Sequence, residues 1–236
     1  MYKEIQQELE KRGTKERAKV SQSFFKTGKG QYGEGDIFLG VTVPEQRKVA
    51  KIYSTASLKD LEKLLKSKVH EYRFTALLIL ILQYEEAEEK HKEFFFKFYL
   101  KNTSYVNNWD LVDLTAASIV GSYLLEKEKG ILYKLAQSKN LWEKRIAIVA
   151  TLAFIRKDKF EDTLKISERY LTEKHDLMHK ATGWMLRELG KKDFKVEEEF
   201  VKKHAAIMPR TMLRYAIERF PKQKRKYYLS KKLFKE

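Results

Sequence analysis

At 236 residues with 43% hydrophobic side chains, the chain is long enough to bury a core and too apolar to be disordered. Its 49 Lys and Arg against 33 Asp and Glu leave a net charge of +16, which calls for a polyanionic partner. Nucleic acid is the commonest such partner, held by neutralised phosphates and released counterions, although a ribosome or an anionic membrane fits the charge equally well. With no cysteine, disulfides, thiolate metal sites and a cysteine nucleophile are excluded, and a reducing compartment is favoured.

Taken from the start, MYKEIQQELEKRGTKERAK is charged throughout and has no apolar stretch of the kind a secretory signal needs. The longest apolar run, Ala76 to Leu82, is far short of a membrane span, so a soluble, cytoplasmic protein without a membrane partner is expected. Four of the ten glycines crowd into TGKGQYGEGD, residues 27–36. That loop lacks the G-x-x-x-x-G-K-[ST] spacing of a P-loop, and a flexible connection whose amides touch a phosphate is the expectation.

Beyond it the pattern is helical almost everywhere. LKDLEKLLKS, HEYRFTALLILILQY, KHKEFFFKFYLK, GSYLLEKEKGILYKLAQ, LWEKRIAIVATLAFIRK, HDLMHKATGWMLREL and VEEEFVKKHAAIM all carry apolar residues at three and four spacing. An all-α fold follows. A position near the start of every second helix, followed through Arg73, Val112, Arg145, Lys180 and Arg214, recurs at intervals of 39, 33, 35 and 34 residues. Such periods mean stacked helical hairpins, each a charged outer helix, a polar turn and a more apolar helix, and the product expected is a curved α-solenoid with one basic concave face. A non-repeating bundle stays open, because the units share little sequence. The expected organisation is one domain, 1–236: N-terminal helices and the glycine loop over 1–56, hairpin repeats over 57–220, and a basic tail over 221–236.

The chemistry centres on NNWDLVD, residues 107–113. In a helix starting near Asn108, Trp109 and Asp113 lie one turn apart on one face, with Leu111, Val112, Thr115 and Ile119 pointing elsewhere. Asn107 or Asn108 caps this helix, and Asp110 sits in the first turn, where its charge suits the dipole. Asp113 has no such account. Two readings remain: a structural ion pair with Arg145 or Arg73, or a catalytic carboxylate.

Trp184 has Lys180 one turn before it and Arg187 three residues after, and Trp142 precedes Arg145 by three. Each tryptophan taken alone reads as core packing. Taken with the repeat, these helices offer Trp109, Asp113, Arg145, Lys180, Trp184 and Arg187 to one surface, a set of aromatic platforms and cations suited to nucleic acid. His175 and His179 have the spacing of a zinc helix, but Asp replaces the Glu of H-E-x-x-H and no third ligand is apparent, so neither a metal nor any other cofactor is expected. The tail KQKRKYYLSKKLFK reads as a solvated or phosphate-binding extension.

These segments resemble the AlkD-like DNA alkylation-repair glycosylases, a family built from HEAT-like repeats. The likeness runs from about Phe24 to Phe220 and is carried by YGEGDIFLGVTVPEQRK (32–48), NNWDLVD (107–113), LWEKRIAI (141–148) and KATGWMLRE (180–188). The resemblance implies a monofunctional DNA N-glycosylase acting on N3- and N7-alkylated purines in duplex DNA, such as 3-methyladenine and 7-methylguanine, without flipping the base out. It implies that Asp113 is the catalytic aspartate and that Trp109 and Trp184 hold the lesion's deoxyribose. Arg145 and Arg187 then serve DNA binding, with Lys180, Arg47, Arg73 and Arg214 as further phosphate contacts, and the protein works as a monomer. Where this chain has Asn108 before Trp109, the family often has a second tryptophan, a departure that bears on fit and lesion range.

Overall fold

A computed structural model describes residues 1–230, and it is all-α: the single extended pairing among the described residues is an isolated bridge between Ile37 and Val69. The chain forms two compact units, Met1–Thr115 and the part from Ala116 onward. None of the helices described is long and apolar enough to cross a membrane.

Unit 1 holds α1 (Tyr2–Glu10), α2 (Lys15–Phe24), α3 (Val43–Ile52), α4 (Leu58–Leu65), α5 (His70–Glu86), α6 (Glu89–Lys101) and α7 (Trp109–Thr115). The short amphipathic helices bury one stripe each, Ile5 and Leu9 on α1 and Leu61, Leu64 and Leu65 on α4, at the three and four spacing their sequences show. Ser57 caps α4, its Oγ accepting from the Asp60 amide at 3.2 Å. Helix α5 is apolar on every side and is accordingly enclosed: an unbroken run from His70 to Ile81 is buried, with α3, α4 and α7 packed around it. Its Glu71, 2% exposed, accepts the amides of Leu39, Gly40 and Val41 at 3.0, 2.8 and 3.3 Å, which ties the strand-like segment before α3 to the core helix.

Unit 2 opens with a π-helical turn, Ala116–Gly121. It continues through α8 (Ser122–Leu124), α9 (Gly130–Ala136), α10 (Leu141–Ala150), α11 (Leu152–Ile155), α12 (Glu161–Arg169), α13 (Asp176–Lys192), α14 (Phe194–His204), α15 (Arg210–Ala216) and α16 (Lys222–Leu229). Here α9 packs on α10 and α12 on α13, α14 packs on α13, and α13 packs against both α10 and α15, so the second helices stack in chain order. Gly183 makes the α13–α15 contact close: a Cβ there would lie 2.5 Å from the Met212 carbonyl oxygen.

Of the expected hairpins, α4 with α5, α9 with α10 and α12 with α13 pack directly on one another. Second helices start at His70, Trp109, Leu141, Asp176 and Arg210, and the repeating positions Arg73, Val112, Arg145, Lys180 and Arg214 all fall in the opening turn or just beyond it. Two segments read as continuous helices are broken: LWEKRIAIVATLAFIRK at Thr151, whose hydroxyl donates back to the Ile148 carbonyl at 2.7 Å, and GSYLLEKEKGILYKLAQ between Leu124 and Gly130. The tail is also more ordered than a solvated extension. Residues 222–229 form α16, anchored by buried Tyr228 against Phe220 and by Lys224 on Glu198 at 2.5 Å; residues 231–236 of the expected tail lie outside the described residues.

Candidate functional site

Helix α7 presents two faces. Leu111, Val112 and Thr115 are buried, whereas Trp109 and Asp113, one turn apart, are both partly exposed. Thr115 closes the inner side by donating to the Leu111 carbonyl at 2.7 Å and sharing a 2.8 Å hydrogen bond with the hydroxyl of buried Tyr99. Burial raises the Tyr99 phenol well above its ordinary pKa; the Thr115 bond works against this, and the nearby charge of Asp113 adds to it, so Tyr99 stays a neutral hydroxyl beneath the carboxylate.

The Trp109 indole stacks on Phe25, with centroids 5.3 Å apart and planes 20° off parallel, and meets Phe24 edge-on at 5.9 Å. Phe25 in turn rests on Phe38 at 5.1 Å and on the imidazole of His70 at 5.0 Å. The aromatic stack thus runs down from the partly exposed indole to the buried start of α5.

The residues on either side of Trp109 are tied into the same base. Asn108, fully buried, accepts the Trp109 amide on Oδ1 at 2.8 Å and donates from Nδ2 to Asp36 at 3.3 Å. Asp110 accepts the Leu111 amide at 2.9 Å and lies 2.8 Å from His70 Nε2. His70 Nδ1 is 3.2 Å from Asp36, and Arg73 donates to the other Asp36 oxygen at 2.7 Å. Burial pushes the His70 imidazole toward neutrality, but its hydrogen bonds to Asp110 and Asp36 outweigh that and hold its pKa above the ordinary value. Burial likewise pushes Asp36 up, and its hydrogen bond with His70 together with the charge of Arg73 brings it below the usual carboxylate range. Asn108 is thus the residue that joins the cap of α7 to the loop, and Asp110 has a buried partner beyond the favourable dipole expected for it.

This cluster corrects the reading of Arg73. The side chain is 2% exposed, its guanidinium is committed to Asp36 and to the Ser67 carbonyl at 2.9 Å, and no surface is left for a phosphate. The glycine loop is corrected similarly. Its Gly28 and Gly30 amides are taken by the side chains of Gln31 and Glu34 at 3.0 and 2.7 Å, and the Gly33 amide by the Lys26 carbonyl at 3.2 Å, so these amides serve the loop's own turns. What the loop delivers is Asp36. Arg47, on α3, is exposed.

In unit 2, Lys180 and Arg214 line one groove of about 690 Å³, with Arg210, Thr211, Arg225, Asp176 and Glu218 among its other walls. Lys180 pairs with Asp176 at 2.7 Å, Arg187 pairs with Glu218, and Arg214 is exposed. Trp184, partly exposed, donates its indole N–H to Glu188 at 3.1 Å. Arg145 is only 5% exposed and donates from Nη1 to the Leu177 carbonyl at 2.6 Å, so one side of its guanidinium braces α10 against α13. Trp142 is buried, as a core tryptophan would be. His175 caps α13, accepting the Leu177 amide at 3.2 Å, and His179 is bound to the Glu173 carbonyl at 2.6 Å, so both imidazoles have helix-terminal roles.

Sequence reasoning did not single out Phe25, Asp36, His70, Arg210 or Arg225. For Asp36 and His70 a signal existed: each is a polar residue at the edge of an apolar segment, which is where a buried pair is expected.

No relative among the curated proteins matches the sequence. The structure is similar to a solved one described as "Predicted DNA alkylation repair enzyme from Enterococcus faecalis", with a TM-score of 0.71 and 19% identity over 89% of this chain and 98% of that one, a likeness of fold. Residues 5–220 match the model of the family described as DNA alkylation repair enzyme, and the chain, with its all-α hairpin fold and the W-D-x-V-D face of α7, belongs to that family.

Proposed function

We propose that the chain is a monofunctional DNA N-glycosylase that hydrolyses the N-glycosidic bond of cationic N3- and N7-alkylated purines, such as 3-methyladenine and 7-methylguanine, in duplex DNA. Membership of a DNA alkylation repair family supports the substrate class. The observation that carries the reaction is the outward face of α7, where Trp109 and Asp113 lie one turn apart, both partly exposed, opposite buried Leu111, Val112 and Thr115.

An alkylated purine bears a positive charge and is a good leaving group without a general acid. As the bond to C1′ stretches, the charge moves to the deoxyribose and the transition state becomes oxocarbenium-like. The Asp113 carboxylate stabilises that charge and positions the attacking water, and the indole of Trp109 adds an attraction that grows as the sugar becomes cationic. Both interactions are stronger in the transition state than in the ground state, as catalysis requires. Trp184 as a second sugar-facing indole, Arg145 and Arg187 as DNA-binding cations, and action without base flipping rest on the family resemblance. Lys180, Arg214 and Arg47 supply phosphate contacts that fix register without reading sequence.

The test is release of 7-methylguanine from methylated duplex DNA under single-turnover conditions. The native protein releases it, and Asp113→Asn slows release by about 10²- to 10³-fold, the usual scale for losing one charge-stabilising group. Equal release by both proteins overturns the role of Asp113. Salt-sensitive DNA binding with no release by either identifies a non-catalytic DNA-binding member of the family.

A further inference from the structure

His70 stands where three parts of unit 1 meet: the end of the glycine loop at Asp36, the start of α5, which it opens, and the first turn of α7. Its backbone amide already ties α5 to the loop, donating to the Ile37 carbonyl at 2.9 Å. The side chain adds α7. Nε2 lies 2.8 Å from Asp110, the residue after Trp109, and the ring packs at 5.0 Å against Phe25, on which the Trp109 indole is stacked. The imidazole thus supports Trp109 twice, through the turn that carries it and through the aromatic column beneath it.

Both ring nitrogens face carboxylate oxygens, which accept and do not donate, so the two bonds coexist only when the ring carries both protons. A neutral ring keeps one of them. With its proton on Nδ1 it turns a lone pair toward Asp110; with its proton on Nε2 it gives up Asp36 and accepts from Arg73 Nη2, 3.4 Å away. The charged groups that face the ring are Asp36 from the loop, Arg73 from α5 and Asp110 from α7, whereas neighbouring Glu71 is taken by the amides of Leu39, Gly40 and Val41. Helix α7 has seven residues, too few to keep its first turn in place without such outside contacts. Once the imidazole lets go, the side-chain tie left between the loop and α7 is the 3.3 Å bond from Asn108 to Asp36.

We propose that His70 is a positioning residue for the reaction: by bonding Asp110 and Asp36 at once it fixes the first turn of α7, and with it the placement of Trp109 and Asp113 against the deoxyribose. Being 2% exposed, it meets no substrate and acts through Asp110 and Phe25. This role rests on the glycosylase reading of α7 and adds a pH dependence to it. Release is fastest while His70 is charged and slows as pH rises through its ionisation, because a misplacement on the order of 1 Å costs up to about 10²-fold.

The test follows single-turnover release of 7-methylguanine at saturating protein from about pH 5.5 to about pH 8.5. Native release is expected to hold at low pH and to fall about tenfold as His70 loses its proton. Asp110→Asn keeps an oxygen acceptor and drops the charge. It should move that fall to lower pH, because burial depresses the His70 pKa and the bond and charge of Asp110 lead what opposes it. His70→Gln should be about tenfold slow at low pH and show no fall. A native rate that is level across the range overturns the proposal, as does an Asp110→Asn profile that falls where the native one does. Lowered melting temperatures with an unmoved profile overturn it in favour of a purely structural role, and Asp110→Asn decides alone should His70→Gln fail to fold. Absence of release by the native protein at every pH is a different result: it overturns the glycosylase reading, and this role with it.

Discussion

Glu71 in unit 1 and Glu197 in unit 2 are equally hidden, 2% and 1% exposed, yet they are accommodated in opposite ways. Glu71 accepts three backbone amides and anchors the segment that leads into α3. Glu197, in the first turn of α14, has an Oε1 with no hydrogen-bond partner, and its carboxyl is pressed so close to Gly190 that a Cβ there would collide with it. The contrast extends to the rest of each unit. In unit 1 the buried charges of Asp36, His70 and Arg73, with partly buried Asp110, neutralise one another beneath the partly exposed Trp109. In unit 2 cations collect on an open groove, with Arg214 and Arg225 exposed. Unit 1 uses charge inside to hold a few side chains still, and unit 2 offers charge outside to a partner.

The strongest way to break this contrast is to remove the hub of the buried cluster. Asp36→Ala strands Arg73 and His70 in an apolar setting and should destabilise unit 1 by about 3–5 kcal/mol, the usual cost of leaving a buried charge unpaired. Denaturant unfolding at pH 6 reads the loss; a change under about 1 kcal/mol would mean the cluster is incidental. The cluster also sets a pH dependence. His70 has a folded pKa above its ordinary 6.5, so its stabilising charge is fully present below pH 6.5 and is lost as pH rises through the raised value.

A smaller effect is expected from the groove. Replacing Arg214 and Arg225 together by alanine should weaken duplex binding about tenfold at 0.1 M salt and reduce the salt slope by about one to two, one for each phosphate no longer neutralised. The release rate at saturating protein should hold, because phosphate contacts fix register and affinity rather than stabilise the breaking bond. An unchanged slope would show that the groove does not meet phosphate.

Arg73 and Arg214 show where sequence reading succeeds and where it stops. Both stand near the start of a helix, and the helices themselves were legible because hydrophobic spacing is local. Their opposite environments depend on partners far along the chain: Arg73 meets Asp36, 37 residues earlier, at the end of a loop whose path the pattern does not specify. One cue was available, since a helix apolar on all sides, as α5 is from Phe74 to Ile81, buries whatever cation it carries. On α7 the cue was stronger. Leu111, Val112 and Thr115 define an inner face, so Trp109 and Asp113 had to lie outward, and there local periodicity suffices. The exposure of Phe24 was not legible, because α2 is held by backbone contact at Gly40, which side-chain patterns do not record.

The smallest effect sharpens the contrast between the two glutamates. Burial pushes the Glu197 pKa up from 4.5 to about 8, and the positive charge of Arg187 offsets only part of this. A carboxyl whose folded pKa is raised holds its proton in the native state where the unfolded chain has released it. Its contribution is therefore fully favourable below about pH 4.5 and declines as pH rises, until the folded group ionises near pH 8. Glu197→Gln keeps the shape and removes the titration. It should match the native protein near pH 4.5 and unfold several degrees higher at pH 9, since about 1 kcal/mol corresponds to roughly 2–4 °C in a chain of this size. Thermal melts of both proteins at the two pH values decide it. A gain that is equal at pH 4.5 and pH 9 would mean that amide packing, not ionisation, separates them. The corresponding Glu71→Gln change should destabilise at both pH values, because an amide oxygen replaces one member of a carboxylate that three backbone amides share.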